Sequence, residues 1–498
     1  MSTRTETLEQ LDKTVETLKN RMFGERISLD LCMDEAGLRY KKVPYGHRDE
    51  VMGDYLSWER FPVGGKWGTR DGHYLFRVKV VIPEKFSGKE VFFFLSTGAD
   101  DIWNTDNPQM LVYINGIRRC GMDMNHNCLC IFGKEDWEKG TERLMDIAIY
   151  AYSNLAENEN LLNMEIAALE ESAKKLYFDM IVPLDAAKEF DNSDDDKKAG
   201  VIIKELIKAA EISQNGAGED GLLEEASKYL LTSLYGKGDN PATVASVGHT
   251  HIDVAWKWQL KQTREKVIRS YSTVMELMKR YPEYLFMAST PQMYEFVREE
   301  EPELFEEIKE KVKEGRFEPE GAMWLEADCN LTSGESLVRQ ILYGKRYFEH
   351  VFGIKSDILW LPDVFGYSAA MPQILKKSGI RAFITTKLAW SDTNRMPHDL
   401  FFWKGIDGTN IPAYIISTCD YAKADEAMKT GNRLEYTYNG RQNASQIMGT
   451  WRAFREKHVT DEVLTCYGFG DGGGGPTWEM LEMDRRLKLG VPGVPKTR

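Results

Sequence analysis

From residue 243 onward, short apolar segments alternate with longer helix-periodic ones, and this alternation constrains the fold more than any other feature of the chain. "TVASVGHTHID" precedes "TREKVIRSYSTVMELMKRYP", "YLFMAST" precedes "PQMYEFVREEEPELFEEIKEKVKEG", and "RFEPEGAMWLEAD" precedes "ESLVRQILYGKRYFEHVFG". "DILWLPDVFG" with "MPQILKKSG", "RAFITTKL" with "NASQIMGTWRAFREKH", and "EVLTCYGFGD" with "WEMLEMDRRLKLG" continue the series. Such repetition predicts an α/β fold built on a parallel sheet or barrel. Active sites of these folds lie at the carboxyl ends of the strands, so the residues there are the ones to inspect.

If "PATVASV" is a strand, its period of two places His249, His251 and Asp253 on one face. The chain has only eight histidines, and two of them fall here. A His-x-Asp pair alone is weak, since a histidine near a strand end is more often a core or cap residue. The other strand ends carry Glu326 and Asp328, Asp363, and Asp471. A single aspartate in such a place usually caps the next helix. Several around one His-x-Asp pair point instead to a divalent cation.

Asp363 stands out because Pro362 fixes the chain before it, and Leu361 and Phe365 flank it with apolar surface. A carboxylate beside a divalent cation stays ionised at neutral pH and can serve as ligand, nucleophile or both. His251 with Asp253 and Asp363 forms an N/O donor set suited to zinc or another first-row divalent ion. Trp256, three residues past Asp253, is placed to floor a sugar pocket. Trp324 and Trp390 add to that possibility, although core packing is the commoner role for a residue such as Trp390.

The 498 residues exceed what one hydrophobic core supports, so several domains are expected. Residues 1–40 read as an N-terminal helical segment, with Leu8, Leu11, Val15, Leu18 and Met22 on one face. Residues 41–180 read as a β-sandwich, with strands in "HYLFRVKVVIP", "EVFFFLSTG" and "RLMDIAIYAYS" and a type I′ hairpin at Asn115-Gly116. Its Trp58, Trp67, Trp103 and Trp137 read as packing residues before sugar platforms. A helical connector over 181–240, interrupted by the acidic "DNSDDDKK", leads to the repeating region at 241–498.

No apolar run approaches the roughly 18 residues of a membrane span, and the polar start does not read as a secretory signal. The expected compartment is the cytoplasm. Seven cysteines without a Cys-x-x-Cys agree with reduced thiols. A net charge of −14 disfavours a nucleic acid as partner and suits a neutral substrate. The "GGGG" after Asp471 lacks the Lys-Ser/Thr of a nucleotide loop and reads as backbone that approaches a sugar.

Together, "HIDVAW", "MWLEADCNLTSGESLVRQ", "LWLPDVFGYSAAMPQIL", "TTKLAWSDTN" with "PHDLFFWKGIDGT", and "YGFGDGGGGPT" resemble the catalytic domain of glycoside hydrolase family 38, the class II α-mannosidases, in their cytosolic-type branch. The resemblance is strong over 240–498 and looser before it. It implies a (β/α)7-type barrel and a retaining α-mannosidase with one zinc or cobalt ion. On the matching positions, His251, Asp253 and Asp363 would hold the metal, and Asp363 would also form a mannosyl-enzyme intermediate. Trp256 and Phe365 would stack on the sugar, while Asp328 and Asp471 would bind it. Mannose-containing oligosaccharides are the implied partners, with a homo-oligomer possible and neither nucleic acid nor membrane expected.

The resemblance also implies a fourth metal ligand and an acid/base carboxylate in later motifs that do not occur before Arg498. The expectation is therefore a truncated barrel that hydrolyses aryl α-mannosides poorly. Two rivals remain. A carbohydrate-binding fragment without turnover would keep the sugar site alone. A polysaccharide deacetylase would use similar metal chemistry, but its usual His-x-x-x-His is absent, because no two histidines here are four apart.

Overall fold

The computed structural model describes residues 4–99, 107–154, 160–191, 196–214 and 220–498. The chain divides into two compact units. One comprises Glu16–Tyr177 with Ile268–Glu276, and the other Met1–Val15, Phe178–Val267 and Leu277–Arg498. Helix Arg4–Met22 buries Leu11, Val15, Leu18 and Met22 of the expected stripe and leaves Leu8 half-buried.

The first unit holds two antiparallel sheets. Strands Arg26–Ser28, Asn163–Ala168, Val91–Ser96 and Cys128–Phe132 form one. Glu59–Arg60, Arg39–Val43, His73–Val81, Leu144–Tyr152, Gln109–Ile114 and Ile117–Met122 form the other. Phe76, Val78, Val80, Ile147 and Ile149 of the second sheet share one core with Phe93, Leu95, Met164 and Ile166 of the first. Apolar faces joined in this way make a β-sandwich.

Strand pairing starts at Arg26, earlier than residue 41, because Arg26–Ser28 joins an edge by long-range pairing with Glu165–Ala167, which no local pattern announces. Asn115 (φ 51°) and Gly116 (φ 80°) form the expected hairpin turn. In strand His73–Val81 the face that carries Leu75 and Arg77 is buried as well as the opposite one. Arg77 pairs with Asp146 at 2.7 Å, donates to the Gly53 carbonyl at 2.9 Å and lies over Tyr55. Trp58 and Trp67 are buried and Trp137 packs against the core, whereas Trp103 lies outside the described residues.

Helix Glu171–Asp191, which belongs to the second unit from Phe178 onward, and helices Asp196–Gln214 and Asp220–Ser233 precede the repeating region. Asp179 is 2% exposed and accepts from Ser227 at 2.5 Å and Arg486 at 3.0 Å, a paired charge of the kind burial demands.

The repeating region supplies strands β1 (Thr243–His249), β2 (Phe286–Ala288), β3 (Phe317–Pro319), β4 (Ile358–Trp360), β5 (Ala382–Thr385), β6 (Leu400–Lys404), β7 (Asn410–Ile415), β8 (Glu462–Tyr467) and β9 (Lys496–Thr497). One sheet runs β3-β2-β1-β8, all parallel, with β9 beside the start of β1. The other runs β4-β5-β7 in parallel, with β6 antiparallel at its edge. Long helices such as Leu260–Arg280, Gly334–Phe352 and Trp478–Leu489 follow the strands, so the region is α/β as the alternation predicts.

Two local readings differ. "RFEPEGAMWLEAD" is not one strand, because Gly321 (φ 147°) and Ala322 (φ 64°) turn the chain after three residues. The β6–β7 hairpin interrupts the strand–helix rhythm between residues 400 and 415, and the alternation alone does not reveal it.

Side chains from both sheets meet in one cluster: Met287, Trp360, Ile416, Tyr438 and Cys466, with Val247, Ile384, Tyr414 and Leu464 against it. Between β7 and β8, the Tyr414 hydroxyl accepts from the Leu464 N–H at 2.9 Å and donates to its carbonyl at 3.2 Å. A side chain thus performs the work of a ladder where no backbone pairing runs.

Candidate active site

The parallel strands aim their carboxyl ends the same way, and the chain just beyond them brings the polar residues together. Strand β1 ends at His249, so the two-residue alternation does not carry on to His251 and Asp253. His249 is 1% exposed, and its Nδ1 lies 2.9 Å from the Met287 carbonyl. Burial pushes it down to about 4, so it is a neutral core residue. His251, in the loop, is the histidine that joins the acidic cluster.

The ligand-type atoms of His251, Asp253, Asp363 and Asp471 all lie within 4.8 Å of one another. Nε2 of His251 is 3.5 Å from Oδ1 of Asp253 and 3.4 Å from Oδ2 of Asp363. Ligands around one zinc at about 2.1 Å sit at most about 4.2 Å apart, so a small contraction would seat an ion. Asp471 joins the group because its φ of 58° and its N–H bond to the His251 carbonyl, at 2.6 Å, fold the glycine-rich loop back. The same carboxylate accepts from the Tyr438 hydroxyl at 3.2 Å.

The electrostatics favour a cation here. Burial opposes a charge on His251, but Glu326, Asp253 and Asp363 outweigh it and hold the imidazole well above its ordinary value. Burial also raises Asp363, yet His251 and Lys387 more than offset this and keep it below the usual carboxylate range. Asp471 is raised by burial, with Asp363 and Asp253 adding to the effect against His251. Among the described residues, Nε2 of His251 is buried without a hydrogen-bond partner, and Oδ1 of Asp363 is buried with only the Lys387 ammonium beside it. A half-buried pocket rich in carboxylates binds a proton or a metal, and N/O donors suit a first-row divalent ion.

Lys387 and Glu326 complete the setting. Two residues past β5, the Lys387 ammonium is 2.8 Å from Oδ1 of Asp363. It stands 3.6 Å from the Trp390 ring centroid, 4.8 Å from that of Phe365 and 5.1 Å from that of Tyr438. Lys387 is not among the residues read from the sequence, although it obeys the same strand-end rule as Asp363. Tyr438 has no comparable local signal.

Trp390 is not a core residue: it is 45% exposed, edge-on to Phe365 at 6.2 Å, and its Nε1 donates to the Tyr436 carbonyl at 2.7 Å. Phe365 and Trp256 also expose their rings, as sugar-facing residues would. Asp328 is exposed, and its carboxylate accepts from the N–H groups of Asn330 and Leu331 at 2.8 and 2.7 Å. It stands outside the four-residue cluster.

The loop carrying Trp324 and Glu326 is held by helix Gly334–Phe352. The Gln340 side chain accepts from Leu325 N–H, and the Gln340 carbonyl accepts from Trp324 N–H at 2.9 Å. This close approach needs Gly344, where a Cβ would lie 2.2 Å from the Ala322 carbonyl oxygen. Replacing a mid-helix glycine with alanine ordinarily stabilises by about 0.5–1 kcal/mol. Here the overlap should reverse the sign, so Gly344→Ala should cost about 1–3 kcal/mol. Urea unfolding followed by tryptophan fluorescence checks this, and a stabilised variant would contradict it.

Residues 241–498 match the model of the glycosyl hydrolases family 38 N-terminal domain. Alpha-mannosidase G of Dictyostelium discoideum is 30% identical over 515 residues, covering 98% of this chain and 44% of that protein. Human Alpha-mannosidase 2C1 is 29% identical over 513 residues, covering 99% and 46%. Alpha-mannosidase of Saccharomyces cerevisiae is 39% identical over 266 residues, covering 53% and 22%. The chain spans less than half the length of these curated relatives.

Proposed function

The chain belongs to glycosyl hydrolase family 38, and on that premise we propose that it carries the metal site and nucleophile of a retaining α-mannosidase acting on terminal α-linked mannose of oligosaccharides. One observation carries the reading: His251, Asp253, Asp363 and Asp471, from the ends of three strands, converge within 4.8 Å inside the matched region. His251, Asp253 and Asp363 would hold one zinc or cobalt ion, with Asp471 available to it or to a sugar hydroxyl. When bound, such an ion orients sugar hydroxyls and keeps nearby carboxylates ionised.

Asp363 would then attack the anomeric carbon. The glycosidic C–O bond breaks, and the departing oxygen takes a proton from a general acid. In the second step water gives a proton back to the deprotonated general acid, its oxygen bonds the anomeric carbon, and the Asp363–carbon bond breaks to return the carboxylate. Lys387 holds Oδ1 of Asp363, which leaves Oδ2 toward His251 and fixes the carboxylate in one rotamer. Phe365, Trp256 and the exposed face of Trp390 would stack on sugar rings, and Asp328 would serve the sugar from the rim.

The two sheets of the repeating region read best as the wall of a (β/α)7-type barrel, supported by the cluster that both line. No helix among the described residues is long and apolar enough to cross a membrane. All seven thiols are free, which supports a reducing setting such as the cytoplasm.

Calorimetric titration of the zinc- or cobalt-loaded protein with methyl α-D-mannoside and methyl α-D-glucoside tests the reading. Mannoside should bind in preference, and a chelator should abolish binding. Equal binding of both sugars, or binding indifferent to chelation, would overturn it.

A further inference from the structure

We infer that Glu326 is a positioning residue that fixes the His251 ring and its tautomer so that Nε2 is the nitrogen offered to a metal. The inference rests on the metal reading above and assigns a role to a residue outside the donor group. The two ring nitrogens of His251 face different partners. Nε2 looks to Asp253 and Asp363, at 3.5 and 3.4 Å, whereas Nδ1 lies 3.0 Å from Oε2 of Glu326. Only Nε2 therefore opens toward the donor cluster.

A neutral imidazole that ligates through Nε2 must keep its proton on Nδ1, and that N–H needs an acceptor. His251 is 4% exposed, so bulk water does not serve. The 3.0 Å contact to Glu326 is not aligned as a hydrogen bond, and among the described residues neither buried atom has another hydrogen-bond partner. A modest ring adjustment as Nε2 takes up a ligand would satisfy both atoms at once.

Glu326 is itself held. Its Oε1 accepts from the Ser289 hydroxyl at 2.9 Å, and its backbone follows the turn at Gly321-Ala322. Ser289 lies just past β2 and Glu326 beyond β3, so two neighbouring strands aim one carboxylate at the back of the ring. A carboxylate there also makes Nε2 more basic, and such partners typically matter 10–100-fold in metal affinity.

The test is metal affinity of the full chain, measured with zinc and cobalt(II) against a chromophoric chelator, beside the visible absorption of the cobalt(II) form. Glu326→Gln keeps an acceptor but loses the charge, and should weaken binding by about 10-fold. Glu326→Ala loses both, and should weaken it by about 100-fold and shift the cobalt bands. Ser289→Ala, which leaves Glu326 in place, should weaken binding only several-fold and keeps the inference testable if a Glu326 variant fails to fold. Wild-type affinity and bands in Glu326→Ala, alongside lost binding in His251→Ala, would overturn the positioning role while sparing the metal site. A wild-type chain that takes up neither metal would overturn the metal reading and this inference together.

Discussion

A 5-fluoro-α-mannosyl fluoride should label Asp363 covalently. Fluorine beside the ring oxygen disfavours the positive charge of the transition state and slows both formation and hydrolysis of the glycosyl-enzyme. Fluoride departs without protonation, so labelling reports the nucleophile independently of any general acid, a group otherwise worth about 10²–10⁴-fold. Asp363 is suited to the attack because His251 and Lys387 keep it ionised despite its burial. Mass spectrometry should place the adduct within "SDILWLPDVFGYSAAMPQILK". Asp363→Asn keeps the shape and removes the charge, and should slow labelling by about 10⁴-fold or more, the scale of losing a covalent nucleophile. An adduct on Asp253, Glu326 or Asp471 instead would show that the nucleophile is misassigned.

His251→Ala should empty the metal site. It removes the single nitrogen donor from the cluster and leaves three carboxylates, a set that suits hard ions such as magnesium or calcium better than zinc. Zinc affinity should fall by well over the roughly 100-fold typical of an outer partner. Elemental analysis of protein prepared without chelator, with the chelator competition, reads this directly. His398→Ala is the comparison. That imidazole is 61% exposed and lies 2.8 Å from Glu456, away from the cluster, so its loss should change stability and leave metal content intact. Equal metal in the wild-type and His251→Ala proteins would refute the site.

Much of the centre is legible in the amino-acid sequence. Asp363 announces itself through an apolar strand, a fixing proline and a carboxylate in succession, all local properties. His251 and Asp253 are legible for a similar reason, although strand alternation is not what places them: the strand stops at His249, and the loop rather than the pleat aims His251. Glu326 stands among the strand-end carboxylates without a role, because a tautomer is set by a partner across space. Lys387 escapes notice since a lysine after "TT" in a strand–helix repeat looks like any solvated lysine. Its meaning comes from Asp363, 24 positions earlier, and from three rings around it.

The sequence by itself determined what repeats locally: the sandwich strands with their alternating faces, the amphipathic helices, the strand–helix rhythm after residue 243, and motifs distinctive enough to indicate the family. These follow from periods of two and of about 3.6 residues, which short windows contain in full. Tertiary structure alone decided which strand-end side chains share one point, which histidine is core and which faces the cluster, and that Trp390 opens to solvent. Those outcomes turn on a few backbone angles, at Gly321, Ala322 and Asp471, and on contacts between segments more than a hundred residues apart, such as His251 with Asp363. No local window holds that information, because convergence is a property of how strands sit side by side.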